Sequence, residues 1–110
     1  MAGRRRTLRG TAVEHADEAR RFFQSALRNF QSRESDPDRI SCSNIEHMTD
    51  VIAEATVAAI AAGHAGDRQL EGNAERLMHA ATMKQREFTW TCRRRERALV
   101  AAGREGNRRR

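Results

Sequence analysis

The single tryptophan, Trp90, has Arg86, Arg93 and Arg94 as its i−4, i+3 and i+4 neighbours. An exposed indole framed by guanidinium groups offers nucleobases a stacking surface beside charges that suit phosphate. On an ideal helix Trp90 points roughly away from the stripe through Phe88 and Cys92. The plainer reading packs Trp90 against Phe22, which also lies off its own stripe, or places it in a dimer contact. Residue spacing by itself favours that packing.

Cys42 and Cys92 are the only cysteines. If the chain reverses near residues 65–68, position 42 lies level with about 89–94, so the thiols would meet at one end of the fold. A bridge there would close a loop of about 50 residues, worth about 4 kcal/mol in the chain-entropy model. Level is not facing, and two separate buried thiols acting as small hydrophobes fit the sequence better.

Other reactive side chains form no recognisable centre. His15, His47, His64 and His79 are scattered, Cys42 and His47 are five apart, and no CxxC or HxxxH pair occurs. The tight ligand spacing of a structural zinc site is therefore missing, and no metal site is expected. Glu46, Asp50 and Glu54 share a helix face, which a solvated acidic stripe explains. The phosphate-binding GxxxxGK[ST] and GxGxxG loops, the GxSxG elbow and HExxH are all absent. The residues predict no enzyme and no cofactor.

Charge is segregated. The net charge is +6, yet residues 1–9 carry +4 and residues 93–110 carry +6, whereas residues 10–92, with nine basic and thirteen acidic residues, sum to −4. Arg4, Arg5, Arg6 and Arg9 supply the first excess. Arg93, Arg94, Arg95, Arg97, Arg104, Arg108, Arg109 and Arg110 supply the second, against Glu96 and Glu105. A GC-rich coding sequence would explain arginine in place of lysine, but not this separation. Basic ends on an acidic body point to nucleic acid or another polyanion; the bland alternative is that they serve solubility. No apolar run approaches the roughly 18 residues of a membrane span. The Arg-rich start turns into a helix too soon to read as a targeting peptide. The expected location is the cytoplasm or a virion, with no secretory signal.

These side chains must be positioned by helices, because β-branched residues are few, alanine is abundant and Pro37 is the only proline. Residues 1–10 read as a basic arm ended by Gly10, and Thr11 with Glu14 as a capping box. Val13, Ala16, Ala19, Phe23, Ala26, Leu27 and Phe30 then mark a helix of about residues 12–33. Ser35-Asp36-Pro37-Asp38 makes a turn. Ser43 and Glu46 form a second capping box, and Ile45, Met48, Val51, Ile52, Ala55, Ala59 and Ala62 line a helix of about 44–62, ended by Gly63 and Gly66. A third helix starts at about 68, capped by Asp67, or at about 74, after Gly72 and Asn73. Ala74, Leu77, Met78, Ala81, Phe88, Cys92 and Leu99 carry it to about 102, where Gly103 stops it. Phe88-Thr89-Trp90-Thr91-Cys92 is rich in strand formers, but the surrounding period is helical. The expected fold is all-α, an antiparallel three-helix bundle over residues 11–103 with a basic tail at 104–110. The third helix, at roughly 43 Å, outruns the second, at roughly 28 Å, so its arginine-rich end should overhang or meet a second subunit.

The opening Arg4 to Thr11, running into an alanine-rich helix with His15, resembles the starts of small basic helical proteins of bacteriophages. Its Leu8-Arg9-Gly10-Thr11 run is similar to one in the microvirus DNA-binding packaging protein, a far shorter family without a helical body. The resemblance covers four residues, fixes no functional side chain, and implies a phage-encoded protein associated with packaged DNA.

Two functions are therefore expected. The first is a non-enzymatic nucleic-acid-binding protein that neutralises phosphates with its arginine-rich ends and is largely indifferent to sequence. The second is a structural or assembly protein, a capsid component or helical adaptor, whose arms bind an acidic protein surface and whose stripes serve homo-oligomerisation. A small transcription regulator is the least supported, since no short recognition-helix unit stands out.

Overall fold

Alanine-rich segments with apolar residues every three or four positions become three helices that bury those positions against one another. The computed structural model describes the backbone of residues 2–34 and 42–108, and the side chains of residues 13–34 and 42–106. Helix α1 spans Ala2–Glu34, α2 spans Ser43–Ala65 and α3 spans Arg68–Arg108. No strand occurs among the described residues, and no helix there is long and apolar enough to cross a membrane.

Helix α2 lies against both α1 and α3, which touch each other much less. It therefore buries more than one face, and Met48, Val51, Ala55, Ala58 and Ala62 are all fully enclosed. The main core joins Ala26 and Phe30 of α1, Met48, Val51 and Ala55 of α2, and Leu77, Ala81 and Phe88 of α3. A smaller cluster of Ala19, Ala61 and Ala62, with Leu70 packed on it, lets the helices approach closely. A Cβ at Gly63 would stand 2.9 Å from the tip of the flexible Glu71 side chain, which brings α2 and α3 into contact there without requiring a glycine.

Four sequence expectations change at the helix ends, and one alternative is decided. The helix expected from about 12 starts at Ala2, so neither Gly10 nor the Thr11–Glu14 pair marks its beginning. One glycine costs a helix only about 1 kcal/mol, and Arg and Leu on either side are good helix formers. Gly103 likewise fails to stop α3, which continues to Arg108 and takes in most of the expected tail. The second capping box is displaced, for Cys42 is the N-cap of α2 and makes no side-chain capping bond. Gly63 lies inside α2; the stop falls at Gly66, whose φ of 77° is left-handed. There the Gly66 amide donates to the Gly63 carbonyl (3.2 Å) and the Asp67 amide to the Ala62 carbonyl (2.9 Å). Of the two proposed starts for α3 the earlier is found: Asp67 Oδ1 accepts the Leu70 amide at 3.0 Å, and Gly72 sits within the helix.

The strand-like segment stays helical. Thr89 Oγ1 donates to the Gln85 carbonyl (2.8 Å) and Thr91 Oγ1 to the Glu87 carbonyl (3.0 Å), so each hydroxyl is absorbed by its own helix. Two apolar positions expected on buried stripes are not buried, Val13 at 64% exposed and Leu99 at 70%. Helix α3 has 41 residues and α2 only 23, about 62 Å against about 35 Å. The apolar period of α3 thus runs past the helix that would cover it. The radius of gyration, 20.4 Å, exceeds the roughly 13 Å of a compact chain this long.

Candidate functional site

Every described residue from Arg93 to Gly106 is exposed, so this last part of α3 presents all its faces outward. It begins where α3 is fastened to α2. Cys42, at the start of α2, is joined to Cys92 in a disulfide, with Cα atoms 5.3 Å apart. The reading of two separate thiols is thereby replaced: the helices bring these positions level and also turn the side chains toward each other. Two turns further back along α3, Gln85 Nε2 donates to the Ile45 carbonyl (3.0 Å) and to Thr49 Oγ1 (2.6 Å), a second tie from α3 to α2.

Trp90 lies between these ties, and it is 61% exposed. Gln85, Arg86, Thr89, Trp90 and Arg93 line one open hollow on the surface of α3. The expected packing on Phe22 is absent. Phe22 instead lines a hollow with Glu18, Arg21, Ser25 and Glu54, where α1 meets α2. The physical reason is the central position of α2, which keeps α1 and α3 largely apart. Arg86 and Arg93 therefore share a surface with the indole, as i−4 and i+3 neighbours must when one helix carries all three. Arg94 is exposed on the same helix but does not line the hollow.

No family model, characterised protein or solved structure matches this chain. The site must be read from its own residues.

Arg95, Arg97 and Arg104 are exposed along the projecting helix. Arg93, Glu96, Arg97, Val100, Ala101 and Arg104 together form a lengthwise groove on it. The positive segment is thus mixed with apolar side chains, Leu99 at 70% and Val100 at 54% exposed. Arg4, Arg5, Arg6 and Arg9 belong to the first turns of α1 and Arg108 to the last turn of α3; their side chains, with Arg109 and Arg110, lie outside the described residues.

The other carboxylates and histidines singled out in the sequence do not converge on one centre among the described residues. Glu46 and Asp50 are exposed, whereas Glu54 accepts a 3.1 Å bond from Asn29 Nδ2 across α1 and α2. His47 Nε2 donates to the Asn29 carbonyl at 2.9 Å. His15 and His64 stack with ring centroids 5.1 Å apart, and His15 Nδ1 is 3.6 Å from Glu18. His79 is exposed. Sequence reasoning missed Gln85 and Thr89 beside the tryptophan, and Glu96 beside the disulfide. A signal for Glu96 was present, since it follows Cys92 by one helical turn.

Proposed function

We propose that this is a non-enzymatic nucleic-acid-binding protein. It grips the phosphate backbone with the arginine-rich part of α3 and stacks bases on Trp90. The observation that carries this reading is the 61% exposed indole in one hollow with Arg86 and Arg93, at the root of a helix exposed from Arg93 to Gly106. Aromatic faces stack on any base and guanidinium groups neutralise any phosphate, so the preference is for single strands and against no particular sequence.

The body is read as an antiparallel three-helix bundle. Contacts between α1 and α2 pair His15 with His64 but Asn29 with Glu54, and contacts between α2 and α3 pair Cys42 with Cys92 but Ile45 with Gln85; numbers that rise along one helix and fall along the next support it. In that arrangement the Arg4–Arg9 end of α1 and the Arg93–Arg110 end of α3 leave the acidic body at opposite ends. A nucleic acid would then be held at two separated points. The association with packaged phage DNA rests on the Leu8–Thr11 resemblance alone.

The test is binding to fluorescently labelled single-stranded DNA and RNA across a salt series. Engaging six to ten phosphates of a single strand gives a log–log slope of roughly −4 to −7. A flat salt response, or unchanged binding after removal of both arginine-rich ends, would sink the proposal.

A second reading is favoured by Leu99 and Val100, 70% and 54% exposed on the same segment. A helical assembly protein would bury them against another copy or lay its arginines on an acidic protein surface. Light scattering separates the two, because a concentration-dependent multimer without nucleic-acid affinity supports assembly.

A further inference from the structure

Glu96, one helical turn after Cys92, reaches both sulfurs of the disulfide. Its Oε1 is 3.6 Å from the Cys42 sulfur and 3.8 Å from the Cys92 sulfur. A disulfide sulfur has no proton to donate, so neither approach is a hydrogen bond while the bridge is closed. Two thiolates and a carboxylate converging from two helices are, however, the donor set of a borderline-soft divalent cation. The three donor atoms lie within 4.8 Å of one another.

We propose that reduction of the Cys42–Cys92 bridge creates a metal site, in which Cys42, Cys92 and Glu96 hold a divalent cation of the Zn2+ class. The geometry already approaches it. With Zn–S bonds of about 2.3 Å and a Zn–O bond of about 2.0 Å, a tetrahedral site has S···O edges of about 3.5 Å and an S···S edge of about 3.8 Å. Both S···O edges are close to that length now. Only the S···S edge must open, and rotation about the Cα–Cβ bonds achieves this with the backbone positions 5.3 Å apart.

The surroundings suit an exchangeable ion. Cys42 and Glu96 are exposed, so reductant and cation both have access, while Cys92 is 5% exposed and anchors the site to the core. Three protein ligands leave a fourth position for water or an outside donor.

The chemistry balances with a dithiol or phosphine as reductant. The S–S bond takes two electrons and two protons to give two thiols while the reductant is oxidised. The cation then displaces both thiol protons, leaving two metal–sulfur bonds and one metal–carboxylate bond. The start of α2 thus stays fastened to α3 in either redox state, by a covalent bond in one and by an ion in the other. This site is independent of the nucleic-acid proposal.

The test uses the full chain, reduced anaerobically with a phosphine, and Co2+ as the probe for Zn2+. One Co2+ should bind per chain with thiolate-to-cobalt charge-transfer absorption, and Zn2+ should displace it. The oxidised chain, with the same Glu96, should show no such band. Glu96→Gln should keep the band but weaken binding by more than about tenfold, since even outer-shell partners are worth about that much. Cys42→Ser should lose the two-thiolate spectrum. Absence of charge transfer in reduced wild-type protein overturns the proposal, whether its helical circular dichroism is intact or is lost and not restored by Zn2+. So do one Co2+ per two chains and undiminished affinity in Glu96→Gln.

Discussion

Arg33, in the last turn of α1, donates through Nη1 to Oδ1 of Asn44 at 3.2 Å, and Asn44 is fully enclosed. It is the only buried polar side chain among the described residues. An amide taken out of water is tolerated when its bonds are made, and here they fix how the end of α1 meets the start of α2.

Asn44→Ala should therefore lower stability by about 1–3 kcal/mol, because Arg33 loses its acceptor and the site is left underfilled. Urea unfolding monitored by circular dichroism should show a lower midpoint with an unchanged slope. A midpoint equal to that of the wild type would mean that the amide is not enclosed as described.

Removal of the covalent tie should cost more. The bridge spans 50 positions of sequence, and closing a loop of that size is worth about 4 kcal/mol in the unfolded-state model. A Cys42→Ser, Cys92→Ala double variant, studied without added metal, should unfold at a much lower urea concentration. A loss below about 1 kcal/mol would count against the bridge as a stabilising feature.

Ala55 is enclosed between the core residues of all three helices. Ala55→Leu adds three carbons where none fit and should destabilise by about 1–3 kcal/mol. Ile60→Ser, at a position 58% exposed, is the matched control and should change stability by less than about 0.5 kcal/mol. Thermal melts of the two variants check the contrast.

Trp90→Ala should leave the fold intact, since the indole is 61% exposed, and should reduce single-strand affinity by roughly 5- to 150-fold if a base stacks there, the equivalent of about 1–3 kcal/mol. Arg93→Gln combined with Arg97→Gln should instead reduce the single-strand salt slope by about 1.4, from one phosphate contact for each side chain. Fluorescence titrations at several salt concentrations distinguish the two effects. Equal affinity of Trp90→Ala and wild type would remove stacking from the mechanism.

Helix formation and helix faces were legible in the residues, because periodicity and alanine content act locally. Ala19, Ala26 and Phe30 on α1, Met48, Val51 and Ala55 on α2, and Leu77, Ala81 and Phe88 on α3 all fall on the expected stripes and are buried. Helix ends were less legible. A glycine stops a helix only where the backbone turns left-handed, as at Gly66 and not at Gly10 or Gly103.

Sequence by itself determined the three amphipathic helices, the acidic body and the arginine-rich ends, since these follow from residue type and spacing along one chain. Tertiary structure alone decided what depends on which helix stands beside which. With α2 between its neighbours, Trp90 has no Phe22 to pack on and remains at the surface with Arg86 and Arg93. The same arrangement turns Cys42 toward Cys92 and Glu96, three positions that no short motif connects. It also leaves Leu99 and Val100 uncovered, because a stripe is buried only where another helix reaches it.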